Sequence, residues 1–496
     1  MTSTFGTYSI AYSGMYVNQA ALTTTSTNLA NIDTTGASKV QLSSVELATA
    51  TASGTASGSG VSVASITRSR DIYLDRTYRT ENAEATYLSV KSGNLEYLDQ
   101  ILCEYETDSS SETTTTTTGL QAVIDDFFAA WEALSTDASS ESTRSETIAA
   151  AVDLIDMLTA IDEQLQQLQA DAVTGVQDGV DSLNELAWQV AALNQQISKA
   201  ESGGGEASYL RDQRDTLLDQ MSALADISVT ESNGTLKVTL GGVSLVSGAT
   251  VHELVVEGTG TTDDPLTVKW ADSGNTAAIK SGSIKAYLED ADQTGYEAID
   301  ADDIPYNFTA TATSSITTLR QALNVLITTL AVEVNELCTS GVDLNGDAGQ
   351  ALFTVLDSSQ PLSIANIQVN PELVDDPDLL VTSAGGEDGD NTIASQIAKL
   401  SQDTAFFASS GVALDITGFY QAVTTWLGTA GDEAATNYET QAALATQLDY
   451  QRQSVSGISI DEEMSNMIKF QTAYAASARV MSTIDGLLGD LIEVLD

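Results

Sequence analysis

This chain of 496 residues has very few of the histidine and cysteine side chains on which nucleophilic catalysis and zinc binding depend. Its single histidine, His252, lies in Val-His-Glu-Leu-Val-Val, a pattern typical of a strand, and its two cysteines are Cys103 and Cys338. Nucleophilic catalysis needs a base between a nucleophile and an orienting group, and structural zinc needs four nitrogen or sulfur ligands. We therefore predict no enzymatic activity, no cofactor and no metal. The cysteines are either buried thiols or one disulfide.

One acidic segment begins like a calcium-binding loop. Asp343-Leu-Asn-Gly-Asp347 has carboxylate or amide side chains at the first, third and fifth positions. The calcium loop then requires glycine at the sixth position and glutamate at the twelfth, where this chain has Ala348 and Thr354. The segment is therefore predicted to be a plain turn.

A local basic cluster consists of Arg68, Arg70, Arg76 and Arg79. Two interpretations are open. The arginines could anchor an acidic surface of a partner, or they could pair with acids that lie close in the sequence. Those acids are Asp71, Asp75, Glu81 and Glu84.

The chain as a whole is strongly acidic, with 19 basic and 70 acidic residues and a net charge of −51. Such a chain repels phosphate, which argues against binding to nucleic acid or to an anionic membrane surface. Residues 1–60 contain only Asp33, Lys39 and Glu46 as charged side chains. We interpret this nearly neutral segment as one that packs densely; an acidic surface that merely maintains solubility, for example in a salty environment, is the alternative. The sequence shows neither a transmembrane run nor a secretory signal, which indicates a cytoplasmic protein or export without a cleaved signal peptide.

The last segment has the pattern of a helix that pairs with another helix. A heptad seam with alternating steps of four and three residues is formed by Ile460, Met464, Met467, Gln471, Tyr474, Ala478 and Met481. Ile484, Leu488, Leu491 and Leu495 continue this seam after a predicted register slip. The predicted partner within the chain is a helix from Ile10 to Ile32 that carries Met15, Leu22, Leu29 and Ile32, and Gly36 is predicted to close it.

These patterns predict a mainly α protein with an inserted β domain, in which coiled-coil-like terminal helices pair beside a central helical bundle. Residues 1–60 with 441–496 would form the terminal helical assembly domain. Residues 61–225 with 283–440 would form the central domain, with an irregular acidic segment at 341–390. Residues 226–282 would form the β domain, in which Asn233-Gly234 predicts a tight hairpin turn. Ala48–Gly60 is predicted to be flexible or ordered only against something else, Thr113–Thr118 to be a loop or a domain joint, and 119–224 to be several separate helices.

Two segments at the ends of the chain resemble the flagellar rod, hook and hook-associated proteins. The N-terminal signature of that family, Asn-x-Ala-Asn-x-x-Thr-x-Gly, is matched by Asn28, Ala30, Asn31, Thr34 and Gly36. Thr35 stands where proline is usual and Ala37 where tyrosine is usual. The C-terminal match begins at Ser456-Gly-Ile-Ser-Ile-Asp-Glu-Glu-Met. Within the family, the middle of the chain resembles the hook-associated members in Trp188-Gln-Val-Ala-Ala-Leu-Asn-Gln-Gln-Ile, Leu210-Arg-Asp-Gln-Arg-Asp-Thr-Leu-Leu-Asp-Gln-Met and Val238-Thr-Leu-Gly-Gly-Val-Ser-Leu-Val-Ser-Gly.

The resemblance implies a structural protein outside the cell, at the junction between hook and filament, with terminal helices that line the axial channel and become ordered on assembly. It implies export through the flagellar type III apparatus without a cleaved signal peptide. The implied partners are copies of the chain in a ring, the hook protein, the next hook-associated protein toward the filament, and an export chaperone at the C-terminal helix. Nucleic acid binding and membrane insertion are not expected.

The resemblance places the assembly interface at Met15, Leu22, Asn28, Leu29, Asn31, Ile32, Gly36, Ile460, Met464, Met467, Phe470, Gln471, Tyr474, Ala478, Met481, Leu488 and Leu491. Two alternatives remain: another axial protein, such as a hook or distal rod component, or an adhesin or hydrolase carried by residues 226–282.

Overall fold

The structure is a computed structural model. It describes residues 4–50, 56–102, 105–107, 115–117, 119–232, 234–297, 299, 305–310, 313–386 and 389–495. Side-chain environments are described for these residues other than 4, 5, 49, 50, 56, 57, 105–107, 115–117 and 491–495.

Most of the described chain is helical. The helices are α1 (Thr4–Ala30), α2 (Ile72–Leu102), α3 (Leu120–Thr136), α4 (Glu141–Glu201), α5 (Ser208–Leu224), α6 (Ser283–Asp290), α7 (Ser315–Ser340), α8 (Pro371–Asp375), α9 (Thr392–Leu400), α10 (Ile416–Ser456) and α11 (Ile460–Leu495), with a 3₁₀ turn at Pro377–Leu379.

The strands are short apart from the first two. They are β1 (Val40–Ala50), β2 (Ala56–Arg68), β3 (Tyr105–Thr107), β4 (Thr115–Thr117), β5 (Ile227–Ser232), β6 (Thr235–Leu240), β7 (Val243–Ser247), β8 (Thr250–Val251), β9 (Leu254–Glu257), β10 (Thr267–Trp270), β11 (Tyr306–Phe308), β12 (Phe353–Thr354), β13 (Gln368–Val369), β14 (Phe407–Ser409) and β15 (Val412–Leu414). The predicted class, mainly α with inserted β strands, is confirmed.

Two hydrophobic cores share one long helix. The first core joins the C-terminal half of α2, α3, the first half of α4, α7, α9 and the first part of α10. The second core joins the later half of α4 to α5, α6 and strands β5–β10. With 61 residues, α4 is about 90 Å long, so it forms a rod that runs through both cores.

The first core is organised around aromatic side chains. Phe127 and Trp131 on α3 are fully buried, and the ring of Phe127 lies 6.2 Å from that of Phe353. Among the described residues, α7 is the one helix long and apolar enough to cross a membrane, but 67% of its most apolar window is buried. The apolar face of α7 therefore packs into this core.

The single helix α4 replaces the separate helices predicted from the sequence, and two glycines inside it allow another helix to approach closely. A Cβ on Gly175 would lie 2.9 Å from the ring of Tyr287, and a Cβ on Gly179 would lie 2.8 Å from Ile284. Both neighbours belong to α6. The glycines therefore let α6 pack closely against α4, and α4 continues through them.

The second core contains the predicted β strands. Strands β5 to β8 form an antiparallel sheet in sequence order, and β9 pairs with β10. Ser232 is opposite Thr235, so β5 and β6 are joined by two residues, and Gly234 has a φ of +74°. This agrees with the predicted tight turn, although Asn233 lies outside the described residues.

A long antiparallel hairpin, β1–β2, follows α1. The alternation from Val61 to Ile66 indicates a short strand, which lies within β2, but the pairing with β1 was not predicted. Val40 pairs with Arg68 at its base, and Ala50 pairs with Ala56 near its tip. Ala48–Gly60 was predicted to be flexible or ordered only against something else; the flexible alternative is wrong for 48–50 and 56–60, which lie in paired strands. Thr113–Thr118 was predicted to be a loop or a domain joint; the loop alternative is wrong for Thr115–Thr117, which forms β4, paired with β3.

The domain division remains a proposal. The boundary expected at 60/61 falls inside β2, and the boundary expected at 440/441 falls inside α10. The segment 341–390 is largely irregular, as predicted, but contains β12, β13 and α8.

Candidate assembly interface

The first and last helices lie side by side in opposite directions. A Cβ on Gly14 of α1 would lie 3.2 Å from the hydroxyl of Ser477 on α11. Beyond the other end of α1, the ammonium group of Lys39 lies 2.5 Å from a carboxylate oxygen of Glu462, in the first turn of α11. Residue numbers thus rise along α1 as they fall along α11, which makes the pair antiparallel. The predicted pairing of the terminal helices is confirmed.

The most deeply buried positions on α1 carry small or polar side chains. Ala21, Thr25 and Asn28 are 2–3% exposed. With Gly14 they continue one heptad stripe. Small side chains let two helices approach closely, so this stripe suits a tight contact.

The larger predicted residues of α1 lie beside that stripe. Met15, Leu22 and Leu29 each follow a residue of the stripe and are half-buried, as is Ile32 beyond the helix end. Their role in assembly stays a prediction.

On α11 the inward stripe has a different register from the predicted one. The buried and half-buried positions with steps of four and three are Glu463, Met467, Phe470, Tyr474, Ser477, Met481, Ile484 and Leu488. These steps alternate without interruption, so the register slip predicted after Met481 does not occur. Of the other predicted residues, Ala478 is half-buried, Ile460, Met464 and Gln471 are exposed, and the side chain of Leu491 lies outside the described residues.

Both terminal helices leave apolar side chains open to solvent. On α1 these are Tyr8, Tyr12 and Tyr16, which are 39%, 55% and 59% exposed. On α11 these are Ile460, Met464 and Ile468, which are 55%, 45% and 63% exposed. Each set is spaced by four residues, so its three side chains follow one face of the helix. Contiguous exposed apolar surface of this kind marks an interaction site.

The asparagines of the N-terminal signature hold the end of α1 and the start of the hairpin. The side-chain amide of Asn28 donates to the Val40 carbonyl at 2.9 Å, and the Val40 backbone N–H donates to Asn28 Oδ1 at 3.0 Å. Asn31 is half-buried, and its side chain donates to the Thr27 carbonyl at 3.0 Å. Asn28 therefore ties the first strand to the first helix.

Gly36 lies in the turn after α1, six residues beyond the helix end, and so it does not close the helix as predicted. It is exposed, has a φ of +81°, and a Cβ there would lie 2.3 Å from the Thr216 hydroxyl oxygen. Two residues later, the Ser38 backbone N–H donates to Asp212 Oδ2 at 3.0 Å. The turn is thereby attached to α5, which carries Thr216 and Asp212.

The base of the hairpin is attached to the end of α10. The Lys39 backbone N–H donates to the Ser456 carbonyl at 2.7 Å. On the returning strand side, the Ser69 hydroxyl donates to the Val455 carbonyl at 3.0 Å. Both ends of the hairpin thus meet the segment that leads into α11.

The joint is the place where the base of the hairpin meets α2, α5 and the end of α10. Arginines from the predicted basic cluster form ion pairs across it. Arg68, at the end of β2, lies 2.7 Å from Asp212, 2.8 Å from Asp215 and 3.1 Å from Glu206. These acids lie on or just before α5. Arg68 therefore connects the hairpin to α5.

Further arginines extend the ion pairs to α2 and α10. Arg79 and Arg452 contact the two oxygens of Asp219 at 2.7 and 2.6 Å. Arg70 contacts Asp75 at 2.7 Å. The interpretation that the arginines pair with acids close in the sequence is therefore correct for Arg70, which pairs with Asp75. It is wrong for Arg68 and Arg79, whose acidic partners lie on or just before α5. Arg76 is exposed.

Asp215 is the centre of these ion pairs. It is 8% exposed and lies within 2.8 Å of Arg68, 3.3 Å of Arg79 and 3.7 Å of Arg70. Burial alone raises the pKa of a carboxyl group. The charges of Arg70, Arg79 and Arg68 outweigh that effect, so the pKa of Asp215 lies below its ordinary value.

The residues considered for catalysis or metal binding have structural surroundings. His252 Nδ1 lies 2.6 Å from Asp272 Oδ2 on the exposed side of the β strands. Asp343 Oδ1 accepts the backbone N–H groups of Asn345 and Asp347 at 2.9 and 2.8 Å, which closes a turn. Among the described residues, no group of three or more histidine, cysteine, aspartate or glutamate side chains is placed to hold a metal ion.

Cys338 is a free, buried thiol whose burial raises its pKa to about 12. Cys103 lies outside the described residues.

Comparisons with known proteins agree with the resemblance. The family described as "Flagellar hook-associated protein FlgK helical domain" matches residues 110–353, and the C-terminal family of the flagellar basal body rod FlgEFG proteins matches residues 451–494. Flagellar hook-associated protein 1 of Bacillus subtilis (strain 168) is 29% identical over 99% of this chain and 98% of that protein. The chain is a full-length relative of flagellar hook-associated protein 1. These similarities support a structural role in the flagellum.

Other relatives support the same conclusion. Flagellar hook-associated protein 1 of Escherichia coli (strain K12) is 25% identical over 98% of both chains. The solved flagellar hook junction protein FlgK from Burkholderia pseudomallei shares the fold with a TM-score of 0.61 at 16% identity, covering 77% of this chain and all of that one. These similarities favour a hook-associated protein over a hook or distal rod component.

The sequence did not reveal several residues that matter at this interface. Asp212, Asp215 and Asp219 hold the joint, and Gly14 and Thr25 lie in the tight stripe of α1. The repeat of aspartates on α5 with steps of three and four was the available signal, because it places them on one helix face.

Proposed function

We propose that this chain forms the junction between the flagellar hook and the filament, and that copies of it assemble there through α1 and α11. The observation that carries the proposal is the pair of open apolar stripes on these helices. Residues 4–30 contain no charged side chain, although the net charge of the chain is −51. An uncharged helix with exposed tyrosines gains most by burial against a neighbouring copy.

The proposal includes the partners and route that the resemblance implies. The hook protein lies on one side, and the next hook-associated protein lies toward the filament. The chain is exported by the flagellar type III apparatus without a cleaved signal peptide and functions outside the cell. An export chaperone binds the C-terminal helix, where Ile460, Met464 and Ile468 offer an apolar face before assembly. Catalysis plays no part in this function.

The experiment compares variants in cells that lack the chromosomal copy. Deleting residues 459–496 removes α11, and we expect such cells to lose attached filaments. Normal filaments in that strain would contradict the proposal.

A substitution tests the open stripe itself. Ile468→Glu adds a charge where neighbours would bury it, so we expect export to continue while the chain retained in flagella falls on the order of tenfold or more. The matched control is Val412→Glu, at an equally exposed valine of β15, which should be retained like the unmodified chain. Equal retention of both variants would argue against the stripe as an interface.

A further inference from the structure

The β1–β2 hairpin has little cover from its own chain. Among the described residues, β1 pairs only with β2, and the 11 residues of β1 extend over about 35 Å. An isolated two-stranded hairpin is marginally stable in water. Helix α1 borders it on the β2 side, where the Val61 backbone N–H donates to the Ser13 hydroxyl at 3.1 Å. The β1 side remains open.

One face of β1 is apolar and exposed. Val45 and Leu47 are 48% and 42% exposed, and being two residues apart they lie on the same face. The residues opposite them on β2 are Ser62 and Gly60, whose small size leaves both apolar side chains prominent.

Apart from one charged residue, the hairpin also lacks the features that prevent an exposed edge strand from pairing with another molecule. Soluble proteins usually place lysine, proline or other charges on exposed edge strands. Between residues 40 and 67 the sequence has no lysine, arginine or proline, and Glu46 is its only charged residue. A strand with this composition is suited to packing against another protein surface.

The charge of the chain indicates which surface packs against the exposed face of the hairpin. Two copies with a net charge of −51 each repel one another except where both surfaces lack charge. The hairpin and α1 are such surfaces, and they are adjacent, because Asn28 holds Val40. Among the side chains of α1 from residue 6 onward, the most exposed large ones are Tyr12 and Tyr16.

We infer that the Val45–Leu47 face of the hairpin docks on α1 of a neighbouring copy of this chain, against Tyr12 and Tyr16. The contact joins unlike surfaces of two identical chains, so it can repeat around an axis. This inference rests on the proposed function, because it specifies a second contact between copies that meet through their terminal helices.

The test is Val45→Glu in the full chain, with Val243→Glu as the matched control. Val243 is 50% exposed in strand β7. We expect both variants to be exported in normal amounts and to melt like the unmodified chain. The amount of Val45→Glu retained in flagella should fall on the order of tenfold or more, since the interface would bury a carboxylate. Retention of Val45→Glu at the control's level would overturn the inference.

A photo-crosslinking amino acid at position 45 gives an independent measurement. In assembled flagella we expect covalent dimers of this chain, with the crosslinked peptide derived from α1. Crosslinks confined to the same chain, or formed to a different protein, would overturn the inference.

The two proposals fail in different ways. If Ile468→Glu abolishes retention and Val45→Glu does not, the hairpin contact is wrong and assembly through the terminal helices stands. If the deletion of residues 459–496 leaves filaments normal, the proposed function itself is wrong.

Discussion

At the scale of single residues, Gly36 meets two requirements at once. Its φ of +81° lies in the left-handed region, and a Cβ would fall 2.3 Å from the Thr216 hydroxyl oxygen. Only glycine satisfies both conditions without strain. The glycine of the family signature thus has a physical reason in this chain, namely the close approach of the turn to α5.

Gly36→Ala is expected to lower the free energy of unfolding by about 1–3 kcal/mol more than Gly204→Ala does. Gly204 also has a left-handed φ, of +91°, but open space around it, so this control incurs only the backbone strain. Urea unfolding measures the difference. Adding Thr216→Ala to Gly36→Ala should recover part of the loss; equal effects of the two glycine substitutions would show that the close approach has no energetic importance.

Asp290 gives a prediction about pH. It is 8% exposed, and burial raises its pKa to about 6, against the hydrogen bond from Asn94, which lowers it. Above pH 6 the folded chain contains a buried carboxylate, which destabilises the fold. As the pH falls from about 6 to 4, the folded state takes up the proton before the unfolded state does, so this cost is relieved.

Asp290→Asn is therefore expected to raise the free energy of unfolding at pH 7 by about 1–3 kcal/mol. The same substitution should give little or no gain at pH 4. Urea unfolding at the two pH values, with the exposed Asp178→Asn as the control, measures this. A variant that is less stable at pH 7 would contradict the interpretation.

At the scale of elements, the hairpin, α2, α5 and α10 are joined by ion pairs around Asp215. A buried ion pair that loses one partner leaves the other charge without compensation. Here one carboxylate contacts three arginines that come from the end of β2, the segment before α2, and α2 itself. The joint therefore depends on Asp215 more than on any single arginine.

Asp215→Asn is expected to lower the free energy of unfolding by about 3–5 kcal/mol, against less than about 0.5 kcal/mol for Asp178→Asn. Because the pKa of Asp215 is lowered in the folded state, its stabilisation is fully present at neutral pH. That stabilisation is lost as the pH falls below about 4, through the folded pKa. Denaturant unfolding at pH 7 and pH 3 should show the difference between the variant and the unmodified chain shrinking at low pH.

Patterns within single elements were enough to predict much of this fold. The strands after Asp226 follow from local periodicity. The pairing of the terminal helices followed from the seam on α11, although that seam was assigned in the wrong register. Met464 and Gln471 fitted the heptad spacing but are exposed, whereas Glu463 is buried and Phe470 half-buried.

Other parts depend on contacts between distant residues. The hairpin consists largely of serine, threonine, glycine and alanine residues, whose pattern gives a weak strand signal. Its base is held by Asn28, which lies on α1. The continuity of α4 through Gly175 and Gly179 depends on α6, which packs against them. The ion pairs of Asp215 connect residues more than 130 positions apart, so no local pattern could indicate them.

At the scale of the whole molecule, charge is distributed very unevenly. The chain has a net charge of −51, yet α1 has no charged residue and the hairpin interior has one. Repulsion among the acids opposes the compact state, and salt weakens that repulsion. The buried ion pairs around Asp215 are screened much less.

The melting temperature of the chain is therefore expected to rise as potassium chloride is increased from 0.05 to 1 M, by on the order of 5 °C. Scanning calorimetry measures this shift, and the same series with Asp215→Asn should show a similar rise. A melting temperature that falls with salt would indicate that exposed ion pairs contribute more than the repulsion among acids.

The position of this protein along the flagellum can be measured directly. Immunogold labelling of intact flagella, with antibody against the β5–β10 region, locates the chain. We expect label at one short zone between the hook and the filament. Label along the whole hook, or within the rod, would contradict this expectation.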